Sequence, residues 1–352
     1  MDQRTAFLNR IGTATPGHDI HHAFIRWAES QIRDRHQAAL FRRMAARSGI
    51  AHRWSVLPPT ETGGSPVEPG GFYSAPILPT TAARMALYAE AAPDLALKAI
   101  AGLGTLDAIS HLVVASCTGF VAPGIDQIIA ARLGLSGSIE RTLVGFMGCY
   151  AAVAALRVAH HIVRSEPAAR VLVVTVELSS LHLRPVQAIE PLLAMLQFGD
   201  GAAAALVTAE PRGLAMRNFF AATLPDSAGL IRWTIGDEGF AMHLSGEVPG
   251  RIGQALAEPE LREMLLGQGT VDGWAVHAGG RSILDAVEAG LGLGEDALAA
   301  SRAVLDACGN MSSATLMFVL ARMLREKPPR NGVAVAFGPG LAAEGFRFGG
   351  AR

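Results

Sequence analysis

At 352 residues and 50 % hydrophobic, the chain is long enough for a large buried core and for two or three domains. Its 30 basic and 31 acidic residues leave a net charge of −1 and aromatics make up 6 %, a balance that argues against a nucleic-acid surface or a base-stacking platform. Cys117, Cys149 and Cys308 lie far apart with no zinc-type Cys/His spacing, so neither a disulfide framework nor a metal site is expected, and a reducing compartment fits.

Residues 1–10 carry no apolar signal core, and no uninterrupted segment reaches membrane-spanning length, so the expectation is a soluble, cytoplasmic protein. The first sixty residues read as helix, with apolar spacing over 20–35 and again over 37–47. The second piece is basic (Arg42, Arg43, Arg47, then Arg53): either a solvated face or an edge for an anionic cofactor's phosphates. Residues 58–79, rich in Pro, Gly, Ser and Thr, read as a surface loop, and 80–103 as helix.

From residue 109 the pattern is α/β. The continuous apolar runs at 111–116 and 170–177 mark strands covered on both faces. Between them, 117–124 is a loop and 125–133 a helix; an apolar run from Arg141 then leads through Gly145 and Gly148 to Cys149 and an alanine-rich helix over 151–164. Residues 197–207 read as a glycine turn feeding a strand. After Pro211, a plausible midpoint, come 216–223, a less patterned stretch to 250 and a helix over 251–266. A strand over 272–277 ends in His277, followed by helices at 281–291 and 312–324, a turn at 307–310 and a last strand at 333–337. The halves, 1–211 and 212–352, repeat one outline, which suggests a duplicated α/β architecture.

Four features carry chemistry. Cys149 opens a helix, where the dipole favours a thiolate suited to covalent catalysis. His277 ends a strand before Gly279 and Gly280; Asn310 follows Gly309; Gly338-Pro339-Gly340 closes the final strand. Each has a plainer reading, as a buried thiol, a core histidine or a turn. Together they fit a pocket at strand ends in which a Cys–His pair is ionised and His277 and Asn310 donate to an oxyanion.

Gly148-Cys149, Phe198-Gly-Asp-Gly-Ala202, Trp274-Ala-Val-His277-Ala-Gly-Gly280, Gly309-Asn-Met-Ser-Ser-Ala314 and Phe337-Gly-Pro-Gly-Leu341 resemble the chalcone/stilbene synthase family, the type III polyketide synthases, from about Ala39 to the C-terminus. The resemblance implies a thiolase-like fold of two duplicated halves in five layers αβαβα, and a homodimer. It implies coenzyme A thioesters as substrates, with no permanently bound cofactor and no metal. Cys149 would take an acyl starter from acyl-CoA. His277 and Asn310 would stabilise the enolate of decarboxylating malonyl-CoA, and iterative condensation would end in cyclisation. The alternative is a related initiating-type β-ketoacyl-carrier-protein synthase, which performs one condensation; those enzymes usually follow the histidine with Gln-Ala-Asn.

The resemblance also assigns the pocket. Phe198 matches an aromatic gate, and Met242 stands where a second phenylalanine is usual. Cys117, Thr118, Ser179, Leu181, His182 and Ser312 match cavity-lining positions, and Gly338, Pro339 and Gly340 match the loop beside the substrate. Trp233 falls near a plant glycine, which would narrow or divert the cavity, and Ala122 replaces a methionine that reaches into the partner's cavity. Arg47 and Arg53 lie in the basic segment for the CoA phosphates, with Gly279 and Gly280 beside the cofactor arm; His52 replaces a basic residue there. The expected product is an alkylresorcinol or alkylpyrone from a fatty acyl starter, with a short pyrone or phloroglucinol-type product as the rival.

Overall fold

The computed structural model describes residues 5–74, 77–267 and 269–351. Its core follows from side-chain alternation along fully buried strands. In Val171–Leu178, Val171 and Val173 face one apolar cluster while Leu172, Val174 and Val176 face another. His111–Ser116 splits the same way, with Val113 and Ala115 against Leu112 and Val114. In the second half, Ala334 and Ala336 of Gly332–Gly338 share the first cluster, whereas Val333, Val335 and Phe337 face a third. Side chains on a strand alternate between faces, so each strand is covered twice.

The shared cluster contains the helices Ala151–Ser165 and Ser313–Glu326. These two form the middle layer. Thr81–Ala101 and its neighbours cover the outer face of the first half, and Val248–Ala257 with Arg281–Leu291 cover that of the second. The result is five layers αβαβα, the thiolase-like arrangement.

All nine principal strands hydrogen-bond into one sheet. Its order is Glu140–Gly145, His111–Ser116, Val171–Leu178, Asp200–Thr208, Ala6–Ala14, Leu214–Thr223, Ala342–Gly350, Gly332–Gly338 and Gly273–Val276. The duplication is visible in that order. Without Glu140–Gly145, each half runs second, penultimate, last and first strand toward the seam. The seam is the antiparallel pairing of Ala6, Phe7 and Leu8 with Met216, Ala215 and Leu214. Glu140–Gly145 is an edge strand, mostly exposed.

Several elements depart from the sequence reading. Ala6–Ala14 is a central strand, not helix; its burial alternates irregularly around a register shift, which hid the period. Residues 1–4 of the segment read for a signal core lie outside the described residues, as do Ala75 and Pro76 of the 58–79 loop. The stretch before Gly250 contains a hairpin, Ile231–Gly236 with Gly239–Leu244. The 251–266 helix is two helices, Val248–Ala257 and Pro259–Leu266, broken at Pro259, which cannot sit inside a helix without losing a hydrogen bond. A helix, Ala299–Cys308, precedes the Asn310 turn, and Ala342–Gly350 adds a strand after the one read as last.

Candidate active site

Cys149 sits in a single 3₁₀ turn, Gly148–Tyr150, that feeds the Ala151–Ser165 helix. The turn interlocks with the loop closing the second half. Gly148 has φ +80°, and a Cβ there would lie 2.3 Å from Pro339 Cδ. A Cβ on Gly338 would meet the Tyr150 ring at 2.7 Å, and Tyr150 Oη donates to the Pro339 carbonyl at 3.3 Å. Glycine is required where a side chain would block such an approach. From behind, the Gly148 N–H donates to Cys117 Sγ at 2.9 Å.

His277 follows the last residue of Gly273–Val276, with its N–H on the Val335 carbonyl at 2.8 Å. Both ring nitrogens are buried without a protein partner. Asn310 is held more tightly. Its Oδ1 accepts from the Ser312 N–H at 2.8 Å and from Thr315 Oγ1 at 3.4 Å, and its Nδ2 donates to the Gly279 carbonyl at 3.2 Å. With its oxygen so engaged, the carboxamide offers the site its remaining N–H. Cys149, His277 and Asn310 line one narrow space together with Phe198, Met242, Ile231, Leu244, Ile283 and Phe337. The three residues that the sequence placed together are together, and Gly279 and Gly338 share their wall.

Phe198 and Met242 also line a second narrow space, with Ser179, His182, Met195, Trp233 and Phe240. Two side chains thus divide a reaction chamber from an adjoining one. Phe198 is fixed beside Asn310 by backbone bonds from Asn310 N to the Gln197 carbonyl (2.8 Å) and from Gly199 N to the Asn310 carbonyl (3.0 Å). His182 is a wall, not a free base: Nε2 donates to the Thr118 carbonyl at 2.7 Å, Nδ1 accepts from Phe240 N at 3.0 Å, and the ring stacks on Phe240 at 4.2 Å. Burial lowers its pKa to about 4. Ser179 Oγ and Trp233 Nε1, by contrast, have no protein partner and face the second chamber.

Four expectations need correction. Arg53 is fully buried; its Nη1 donates to the carbonyls of Met195 and Phe198 at 2.9 and 2.8 Å, its Nε to His21 Nδ1 at 3.0 Å, and it lies 4.4 Å from the Phe24 ring centre. It braces the gate segment and is closed to any phosphate. Leu181 is packed in the first half's core and does not line either chamber. Cys117 and Thr118 do not line them either: they belong to a hydrogen-bond cluster behind Cys149, with Cys117 N and Thr118 Oγ1 donating to Glu177 Oε2 at 3.0 and 2.9 Å. The fourth concerns ionisation. Burial pushes the Cys149 thiol up to about 12, with Ser312 and Asn310 hydrogen bonds opposing it and the Glu177 charge adding to it. Burial alone pulls His277 down to about 3. Burial of both groups works against the ionised pair read from the sequence, and the hydrogen bonds from Ser312 and Asn310 work for it.

Arg47 does line an open cleft, with Ser48, Gln197, Arg281, Ser282 and Asp285. Gly280 borders it: a Cβ there would stand 3.0 Å from Gln197 Oε1. Sequence reasoning missed two residues. Arg281 brings a second cation to the cleft, and its only signal was its place directly after Gly279-Gly280. Glu177 is a fully buried carboxyl whose pKa burial raises to about 7; the signal was an acid ending an otherwise apolar strand.

A buried cysteine facing an imidazole and a carboxamide, on a duplicated five-layer fold, defines a thiolase-like acyltransferase. Residues 2–211 match the N-terminal domain, and residues 215–350 the C-terminal domain, of the chalcone and stilbene synthases, and the chain belongs to that family, the type III polyketide synthases. It is 39 % identical over 285 residues to the alpha-pyrone synthesis polyketide synthase-like Pks18 of Mycobacterium tuberculosis, covering 75 % of this chain and 72 % of that protein; Pks18 of Mycobacterium bovis matches equally. Among solved structures, the C-terminal type III polyketide synthase domain of Steely1 from Dictyostelium superposes with a TM-score of 0.88 at 26 % identity, covering 99 % of this chain and 100 % of that one. PKS-I from the brown alga Ectocarpus siliculosus gives 0.85 at 30 % identity, covering 98 % of each. Enzymes of this family are acyltransferases that use malonyl-CoA and related CoA thioesters without a permanently bound cofactor. No helix among the described residues is long and apolar enough to cross a membrane.

Proposed function

We propose that the enzyme loads an acyl starter from acyl-CoA onto Cys149, extends it with malonyl-CoA and releases a cyclised pyrone or resorcinol-type product. The observation that carries this is the shared wall: the Cys149–His277–Asn310 chamber and a second chamber meet at Phe198 and Met242. An iterative enzyme must place a growing chain beyond its nucleophile, and the residues beyond Phe198 and Met242 are where that chain would go.

Loading transfers the thiol proton to His277 as the sulfur attacks the starter carbonyl, and CoA leaves with a proton. Malonyl-CoA then loses CO₂, and the electron pair moves onto its thioester oxygen, where His277 and the Asn310 N–H donate. The enolate carbon attacks the acyl-Cys149 carbonyl and the sulfur departs, leaving the diketide on CoA. A charged carboxylate in place of Asn310 would oppose that step.

Arg47 and Arg281 flank the cleft as partners for CoA phosphates, and Gly279 and Gly280 leave room for its arm. Residues 1–211 form the half bearing the nucleophile and 212–352 the half bearing the histidine and amide. A homodimer fits the exposed edge strand Glu140–Gly145, in which Leu143 is 46 % exposed, with Phe120 near it 44 % exposed. The relative's alpha-pyrone description favours a pyrone here, on the same chamber geometry.

The test is incubation with radiolabelled malonyl-CoA and starters of graded acyl length, without carrier protein, and identification of products by mass. Multiply extended, cyclised products support the reading. A strict requirement for a carrier protein, with one condensation only, supports the initiating-type alternative.

A further inference from the structure

The strand Gly332–Gly338 ends beside Cys149, and its other end opens onto a cleft that the condensation chemistry does not use. Seven residues at about 3.3 Å each put the two roughly 20 Å apart. The cleft has about 2060 Å³ of space, open to solvent, and is lined by Arg217, Arg330 and Arg347 with Asn218, Asn331 and the seam residues Phe7 and Ala215. No acidic side chain is among its described lining residues.

Three observations single it out. Arg347 is only 2 % exposed, yet its Nε and Nη2 have no protein partner, and Nη1 reaches only Asn331 Oδ1, at 3.4 Å. Arg217 sits directly opposite Arg347 in the antiparallel pairing, so two like charges share one face of neighbouring strands, a destabilising placement unless something neutralises it. Gly349 makes room for this: a Cβ there would come within 3.2 Å of Arg217 Nη2. Asp272, before the strand that precedes this end, accepts from the backbone, from Arg330 N at 3.0 Å and Asn331 N at 2.8 Å. None of the three arginines has an ion pair among the described residues.

A buried guanidinium with two nitrogens lacking a hydrogen-bond partner is costly, and a planar fork of donors is suited to two oxygens at once. We propose that this cleft is an anion site, in which Arg347 and Arg217 hold a phosphate or carboxylate group of a small molecule and Arg330 closes over it. Arg347 supplies the fixed donors from the floor. Arg217 and Arg330, both exposed, supply mobile charge at the rim.

The experiment is calorimetric titration of the full chain with inorganic phosphate and, in a second arm, with citrate, at an ionic strength held constant with sodium chloride. Saturable binding at one site per chain is expected in at least one arm, and the arm that binds identifies the group as phosphoryl or carboxyl. Arg217→Gln and Arg330→Gln should each weaken it by about tenfold, the effect of losing one charge-assisted contact. Arg47→Gln, which alters the CoA cleft alone, should leave the losses caused by the two rim variants unchanged. Heats equal to the chloride control in both arms, or binding indifferent to both rim variants, overturn the proposal.

Discussion

Glu177→Gln tests how the buried cluster behind the nucleophile is balanced. The carboxyl is fully buried, and its pKa rises from an ordinary 4.5 to about 7 because burial outweighs the donors Ser313, Cys117 and Thr118. The sign follows from that direction. Below pH 4.5 the acid is protonated folded and unfolded, and it costs nothing. Above pH 7 the unfolded chain is ionised freely while the folded one must ionise inside. Stability is therefore lost as pH rises, and the gap between 4.5 and about 7 corresponds to about 3 kcal/mol by pH 8, with roughly a quarter of it present at pH 5. Glutamine keeps the shape and an acceptor for the Cys117 N–H, and its amide can donate to the Ser313 hydroxyl. The assay is urea unfolding of both proteins at pH 5, 7 and 8 and one protein concentration, so that other titrating groups cancel. The variant should gain on the wild type by about 2 kcal/mol between pH 5 and 8. Because the Glu177 charge also raises the Cys149 pKa, the variant's thiol should alkylate faster with iodoacetamide at pH 8. A stability difference that does not change with pH would refute the reasoning.

Asn310→Asp places an acid where the enolate oxygen forms; kcat for condensation should fall by about 10²–10³-fold, measured by release of labelled CO₂. Arg47→Gln should raise KM for malonyl-CoA several-fold with little change in melting temperature. Arg53→Lys should do the reverse, losing about 2–4 kcal/mol of stability by leaving the carbonyls of Met195 and Phe198 without their forked donor, with KM unchanged in the folded fraction. Trp233→Gly removes an indole from the second chamber, and mass spectrometry should show products lengthened by one or more two-carbon units.

The proposed catalytic trio was legible as a cluster because each member lies in a short run whose glycines and apolar neighbours fix its backbone: Gly148 before Cys149, Gly279-Gly280 after His277, Gly309 before Asn310. The parallel strands were legible for a similar reason, since double coverage leaves a mostly apolar run at 170–177. The strand Ala6–Ala14 was not, because Asn9, Arg10 and Thr13 interrupt its period and only the pairing with both neighbours makes it central. Arg53 shows the other limit. It lies six positions after Arg47, and nothing local tells a buried brace from an exposed phosphate partner; that depends on carbonyls contributed by residues 195 and 198. The burial that opposes ionisation of Cys149 was not legible either, since a helix start is visible in the sequence and the depth of burial is not.

The contact of Pro339 with Gly148 ties the fate of the two halves together. The nucleophile's turn is shaped by a ring from the far end of the polypeptide, so neither fragment of a severed chain could assemble a working thiol by itself. During synthesis the site would stay incomplete until the last strands emerge, and reactive chemistry would begin only once the whole molecule had closed.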